Sequence, residues 1–260
     1  MIKAENLCFS YGGKQIIKNL SAVFHPGELC SVIGVNGCGK TTFLRLLSHK
    51  LSSSEGSITV DGKSIASYSP KEYAKIVSVL PQYRPTPSIS VYDLVSHGRF
   101  PYLGFSRRLT AKDTEKIEAS LFTTDTMQFA QADIKKLSGG ERQRAYIAML
   151  LAQDTKYLLL DEPAAHLDIA HSFEVMELLC KLSSQGKGII TVMHDLCLAF
   201  KFSDRILLLD NGNASVFDSA KTLITSKKLT DAFGISCQCI RVNGKNEYVF
   251  DSVKHNIANE

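Results

Sequence analysis

The chain has 260 residues, 44% of them apolar, and a formal net charge of +4. That is enough chain to bury the core of one large domain, or of a domain with a subdomain. Lys and Arg are spread along the sequence instead of forming a block, which argues against a nucleic-acid-binding tail. The longest apolar runs, such as 147–152 and 157–160, fall far short of the roughly 18 residues that a membrane-spanning helix needs.

The opening residues, Met1 to Asn6, show no apolar leader and no cleavage site, so the chain is expected to stay in the compartment where it is made. Its seven cysteines are odd in number and scattered, which points to reduced thiols in a cytosol. The lone Cys237-x-Cys239 pair reads as two thiols on one face of a strand, since no second Cys or His pair stands near it to complete a metal site.

In chain order, apolar and polar residues first alternate at Ile2, Ala4 and Leu7 to Phe9. A turn at Gly12-Gly13 and a second strand over about 16–24 follow, as expected of antiparallel strands exposed on one face. After Pro26-Gly27 a short apolar run, 29–33, has the character of a strand buried on both faces; it leads into a glycine-rich turn and a helix over about 41–50. A strand at 57–60 precedes the tight turn Asp61-Gly62. Ser69-Pro70-Lys71-Glu72 is a helix start with a capping box and proline at the first helical position, and a strand is expected at 76–80.

Over 88–136 the strand signal fades. Ser90 with Asp93, and Thr110 with Asp113, mark two further helix starts, so the stretch reads as a mainly helical insert. Beyond it strand and helix alternate: strand 157–160, helix 169–184, strand 188–193, helix 195–202, strand 205–209. Alternation of this kind predicts an α/β fold with a parallel sheet covered on both sides. Asn211-Gly212 makes a hairpin turn, and a C-terminal extension, 219–260, is read as two short helices and two weak strands. No internal repeat is visible, so 1–260 is taken as one domain.

Three motifs carry chemistry. Gly34-Val35-Asn36-Gly37-Cys38-Gly39-Lys40-Thr41-Thr42 fits the phosphate-loop pattern G-x-x-x-x-G-K-[ST] and lies between a buried strand and a helix, where its mechanism requires it. Backbone amides there curl round an anion; Lys40 is expected to reach the β and γ phosphates of a nucleotide and the Thr41 hydroxyl to hold Mg²⁺. The strand Leu158-Leu159-Leu160 ends in Asp161-Glu162. Its position delivers Asp161 to the Mg²⁺ of a phosphate-loop site, while Glu162 points elsewhere and is placed to polarise an attacking water. Third, Leu137-Ser138-Gly139-Gly140-Glu141-Arg142-Gln143-Arg144 ends a loop and opens a helix, read as 142–152, with Ser138 and the two glycine amides at an anion-binding helix start.

This third peptide closely resembles the signature peptide of ABC ATPases, and further family motifs follow in order. Tyr11 stands where the family stacks an aromatic ring on adenine. Gln82 resembles the glutamine that reaches metal and water and links to the membrane subunit. Ala165-His166-Leu167-Asp168 resembles the D-loop, and His194 the switch histidine that contacts the γ-phosphate. The resemblance covers about 1–235 and implies a phosphate-loop core with an antiparallel β subdomain and a helical subdomain. It further implies ATP and Mg²⁺ as ligands, with Glu162, His194, Gln82 and Lys40 serving hydrolysis. Because each chain holds one phosphate loop and one signature peptide, it implies a homodimer in which Ser138, Gly139, Gly140 and Asp168 of one copy meet the ATP held by the other.

Gly98-Arg99-Phe100-Pro101-Tyr102 is similar to a segment of importers for iron–siderophore, haem and cobalamin, as is Leu167-Asp168-Ile169-Ala170-His171. The expected partners are therefore integral membrane permease subunits and, through them, a substrate-binding protein, with the chain peripheral on the cytoplasmic face and no nucleic-acid partner. A soluble ABC ATPase of a cytosolic assembly, such as iron–sulfur cluster biogenesis, stays open as the alternative. A DNA or ribosome clamp is disfavoured by the absence of heptads and of a second phosphate loop. Two departures from the family pattern stand out. Ala164 and Ala165 replace hydroxyl residues, and Cys38 replaces a small residue in the phosphate loop. A thiol beside a helix N-terminus is expected to have a lowered pKa, so alkylation of Cys38 is expected to inactivate the enzyme and ATP to protect it.

Overall fold

The computed structural model describes residues 1–104 and 108–253. Two parts of the sequence reading lie outside the described residues: 105–107 of the helical insert and 254–260 of the C-terminal extension.

The chain opens with β1 (Ile2–Tyr11), β2 (Lys14–Phe24) and β3 (Leu29–Ile33), followed by α1 (Lys40–Leu47), β4 (Glu55–Val60), β5 (Lys63–Ser64), α2 (Pro70–Tyr73) and β6 (Val77–Leu80). Next come α3 (Val91–Ser96), α4 (Ala111–Thr123), α5 (Gly139–Ala152), β7 (Tyr157–Asp161), α6 (Ile169–Ser184), β8 (Gly188–Val192) and α7 (Leu196–Phe202). The chain then forms β9 (Arg205–Asp210), β10 (Asn213–Asp218), α8 (Ala220–Thr225), α9 (Lys228–Phe233), β11 (Ile235–Val242) and β12 (Lys245–Ser252).

The strands form three sheets. β2-β1-β4-β5 is antiparallel. Its buried residues Ile2, Ala4, Leu7, Ile17 and Leu20 share one hydrophobic core with Phe43 and Leu46 of α1, the one-sided burial that alternation predicts. The central sheet runs β10-β9-β3-β8-β7-β6. Its strands from β9 to β6 are parallel, and β10 closes the edge antiparallel. β3, β7 and β8 are buried at every position, as strands covered by helices on both faces must be. The sheet β11-β12 packs on α7: Phe200 meets Tyr248 and Phe250 edge-on, with ring centroids 5.5 and 5.2 Å apart, and Lys201 pairs with Glu247 at 2.6 Å. Cys237 and Cys239 stand opposite Phe250 and Tyr248, on one strand face as expected.

Among the described residues, 88–104 and 108–136 are mainly helical, in line with the predicted insert. Ser90 caps α3, and Thr110 with Asp113 forms a capping box on α4. Arg99 turns out to be buried: its Nε donates to Asp113 Oδ1 at 2.8 Å, its Nη1 donates to Ala152 O at 2.6 Å, and its guanidinium lies 3.9 Å from the Tyr102 ring centroid. A Cβ on Gly98 would stand 2.3 Å from Met149 O, so no other residue permits this approach to α5. Gly98-Arg99-x-Pro101-Tyr102 is thus a brace that fastens a 3₁₀ turn (His97–Tyr102) to the start of α4 and the end of α5.

Candidate nucleotide site

Strand order assembles the site. In a parallel sheet, functional groups gather at the carboxyl ends of the strands. β3, β8, β7 and β6 are consecutive neighbours, and their carboxyl ends lead respectively to the phosphate loop, His194, Asp161-Glu162 and Gln82. Residues up to 160 positions apart in sequence therefore share one edge.

At the phosphate loop, Gly37 and Gly39 take left-handed conformations, with Gly39 as the N-cap of α1. Lys40 is buried, and its ammonium curls back over the loop, donating to Gly34 O at 2.7 Å and Val35 O at 3.1 Å. Val35, Asn36 and Gly37 remain exposed. The Thr41 hydroxyl donates to Asp161 Oδ1 at 3.3 Å. Asp161 is only 4% exposed, and burial pushes its carboxyl above the ordinary range, against the pull of the Thr41 hydrogen bond. Thr41, Gln82 and Asp161 border one cleft of about 490 Å³. Hard oxygen donors beside a buried carboxylate match what Mg²⁺ takes, so these residues fit that ion.

Glu162 follows the last residue of β7. Its amide donates to Val192 O at 3.1 Å, which extends the β7–β8 ladder by one position. Its φ is then 54°, a left-handed conformation that costs a non-glycine residue about 1–2 kcal/mol. The chain leaves the sheet there, and Glu162 Oε1 lies 2.6 Å from Nε2 of His194. Both residues line a cavity of about 310 Å³ together with His166, Leu167 and Asp195.

Tyr11 ends β1 with its ring 44% exposed, set edge-on to Phe9. The antiparallel sheet reaches the phosphate loop through Ile16 and Ile17, which lie against Gly39.

The signature peptide differs from expectation in one respect. α5 begins at Gly139, not at Arg142, with Ser138 as N-cap and Glu141 completing a capping box. Ser138 and the glycine amides stand at the helix start as expected; only the bound moves, because the S-x-x-E spacing seen at Ser69 is present here as well and its capping box draws both glycines into the first turn. Among the described residues no hydrogen bond joins Ser138, Gly139 or Gly140 to the phosphate loop. Gly139 faces Leu167 of the D-loop and Gly140 faces the ring of His171, which Asp168 in turn holds by hydrogen bonds. The predicted site residues therefore form two groups in one chain, one around Lys40 and Glu162, the other around Ser138 and Asp168.

Two further residues make contacts beside these groups that no sequence motif marks. Arg84 spans from the segment after Gln82 to α5: it donates to Pro81 O at 2.9 Å and to the side chain of Gln143, and it lies 4.2 Å from the Tyr146 ring centroid. No local pattern marks it. His171 carries a sequence signal only in its place three residues after the N-cap Asp168.

The expectation for Cys38 is overturned. Its side chain is 6% exposed, and burial raises the thiol pKa more than Lys40 and the neighbouring amides lower it. A helix N-terminus activates a thiol only where the thiolate stays solvated.

The ABC transporter family matches residues 17–165, and the chain belongs to that family. It is an ATP-binding ATPase subunit, ATP hydrolysis being the family's activity. An iron(3+)-hydroxamate import ATP-binding protein, FhuC, of Bacillus subtilis is 37% identical over 259 residues, 98% of this chain and 96% of that protein. Among solved structures, an inward-facing metal-chelate type ABC transporter superposes with a TM-score of 0.85 at 27% identity, over 98% of each chain. A dimeric ATP-binding cassette in a post-hydrolysis state, bound to ADP and Pi, gives a TM-score of 0.72 at 26% identity, over 85% of this chain and 99% of that one. Among the described residues no helix is long and apolar enough to cross a membrane.

Proposed function

We propose that the chain drives import of an iron chelate. It acts as a homodimer bound to the cytoplasmic face of integral permease subunits, which a substrate-binding protein supplies. The observation that carries this reading is the similarity, along 98% of the chain, to an iron(3+)-hydroxamate import subunit. The same similarity favours it over a soluble ATPase of a cytosolic assembly.

Lys40 and the loop amides bind the β and γ phosphates, and Tyr11 offers its exposed ring to the adenine. Thr41 and Asp161 hold Mg²⁺, with Gln82 at the border of the same cleft; when bound, the ion neutralises phosphate charge. Glu162, oriented by the 2.6 Å contact with His194, accepts a proton from water as the water oxygen attacks the γ-phosphorus. The bond to the departing ADP oxygen breaks in line with that attack. The signature helix N-terminus of the second copy supplies amides to the γ-phosphate, which is why the two groups of residues stand apart in a single chain. Tyr83, 87% exposed, and Phe100, 58% exposed, flank Gln82 and the helical insert as apolar surface for the permease.

The test is co-purification of the tagged chain from detergent-solubilised membranes of its host, with mass spectrometry of the partners. An integral membrane protein in equal amount is the expected result. A chain absent from the membrane fraction and accompanied only by soluble proteins would overturn the importer reading.

A further inference from the structure

Gly140 has no room for a side chain: a Cβ there would stand 2.2 Å from Cδ2, 2.6 Å from Cγ and 3.0 Å from Nε2 of His171. The Cδ2 edge of the imidazole is therefore pressed against the backbone of the first turn of α5. It is held from the other side, because Nδ1–H donates to Asp168 Oδ2 at 2.7 Å while the His171 amide donates to Asp168 Oδ1 at 2.9 Å. A carboxylate only accepts, so this contact fixes which ring nitrogen carries the proton. Leu167 adds a second contact, since a Cβ on Gly139 would lie 3.4 Å from its Cδ2. One turn further along both helices, Arg144 of α5 pairs with Glu174 of α6 at 2.5 Å. At the other end of the D-loop, the Ala165 amide donates to Glu162 O at 3.2 Å. The D-loop thus runs from the backbone carbonyl of Glu162, through the chain from Ala165 to Asp168, to His171 and the backbone of Gly140, with Leu167 against Gly139.

We propose that His171 is a positioning residue that couples the two nucleotide sites of the dimer: through it, the D-loop beside a chain's own ATP sets the pose of the signature turn that the same chain presents to the other ATP. The proposal rests on the composite-site reading above. The lack of slack at Gly140 makes the ring a rigid spacer, so a shift of Asp168 moves the signature amides directly.

Two variants separate coupling from folding. His171→Ala removes the ring, and His171→Asn keeps a donor toward Asp168 but takes the ring off Gly140. In the full-length chain, binding of a fluorescent ATP analogue is expected to stay at the parent affinity for both, which also reports a folded phosphate loop. The parent is expected to hydrolyse ATP with a sigmoidal dependence on its concentration, and both variants are expected to lose that form. In a Glu162→Gln background, the ATP concentration that drives half-maximal dimer formation is expected to rise by about 5- to 150-fold, the range of ordinary coupling between sites. A Glu162→Gln parent that dimerises with ATP, together with unchanged midpoints in both His171 variants, would overturn the coupling alone. A parent that stays monomeric at saturating ATP would overturn the composite site and the coupling with it.

Discussion

Nε2 of His194 lies 2.6 Å from Oε1 of Glu162, joining residues that follow two neighbouring strands, β8 and β7. The glutamate side chain is 11% exposed and the histidine 46%, so the carboxylate is shielded while the ring stays open toward the cleft. A base held in this way needs little reorganisation before it accepts a proton.

Glu162→Gln keeps the shape of the side chain and its contact with His194 but cannot take a proton. ATP binding should persist while hydrolysis falls by about 10²- to 10⁴-fold, measured as phosphate release alongside nucleotide affinity. Turnover at the parent rate would mean that another group is the base.

Lys40→Ala acts earlier. The ammonium rests on two loop carbonyls and is the cation nearest the loop's anion cradle. Its removal should abolish measurable ATP binding with little change in melting temperature, because the loop backbone is held by β3 and α1. Wild-type affinity in this variant would contradict the assigned role.

Arg99 belongs to stability and not to chemistry. Arg99→Ala leaves Asp113 buried without its cation, and breaking a buried pair costs about 3–5 kcal/mol; urea unfolding should show this loss with ATP affinity intact. Asp113 adds a pH signature. Its carboxyl is held down at about 2, chiefly by the Thr110 hydroxyl and then by the Thr110 amide and Arg99. A folded-state pKa below the ordinary 3.8 stabilises the protein above that value and is lost as pH falls toward 2. The stability advantage of the wild type over Thr110→Val should therefore shrink across that window, and a constant gap would argue against it.

Cys38 should resist modification. Brief treatment of the native chain with iodoacetamide is expected to label the exposed Cys197 and Cys239 and spare Cys38, leaving ATPase activity intact. Mass spectrometry that finds Cys38 labelled first, with matching loss of activity, would show that the loop opens far enough to solvate the thiol.

The sequence by itself determined whatever rests on local hydrogen bonding and periodicity. It placed the phosphate loop between β3 and α1, the capping box at Ser69, the helix starts at Ser90 and Thr110, the buried strands β3, β7 and β8, and the hairpin at Asn211-Gly212, because each depends on residues a few positions apart. The first residue of α5 was set three positions late, at Arg142 in place of Gly139, because the S-x-x-E capping box at Ser138 was not used to fix it. Tertiary structure decided the rest. The sheet order brought Glu162 to His194 and Thr41 to Asp161; burial, which no local window reveals, inverted the expected chemistry of Cys38 and turned Arg99 from a motif residue into a brace. The pressing of His171 onto Gly140 depends on how two helices pack across about thirty residues of chain, and close packing of that kind is set by the whole core, not by the residues on either side.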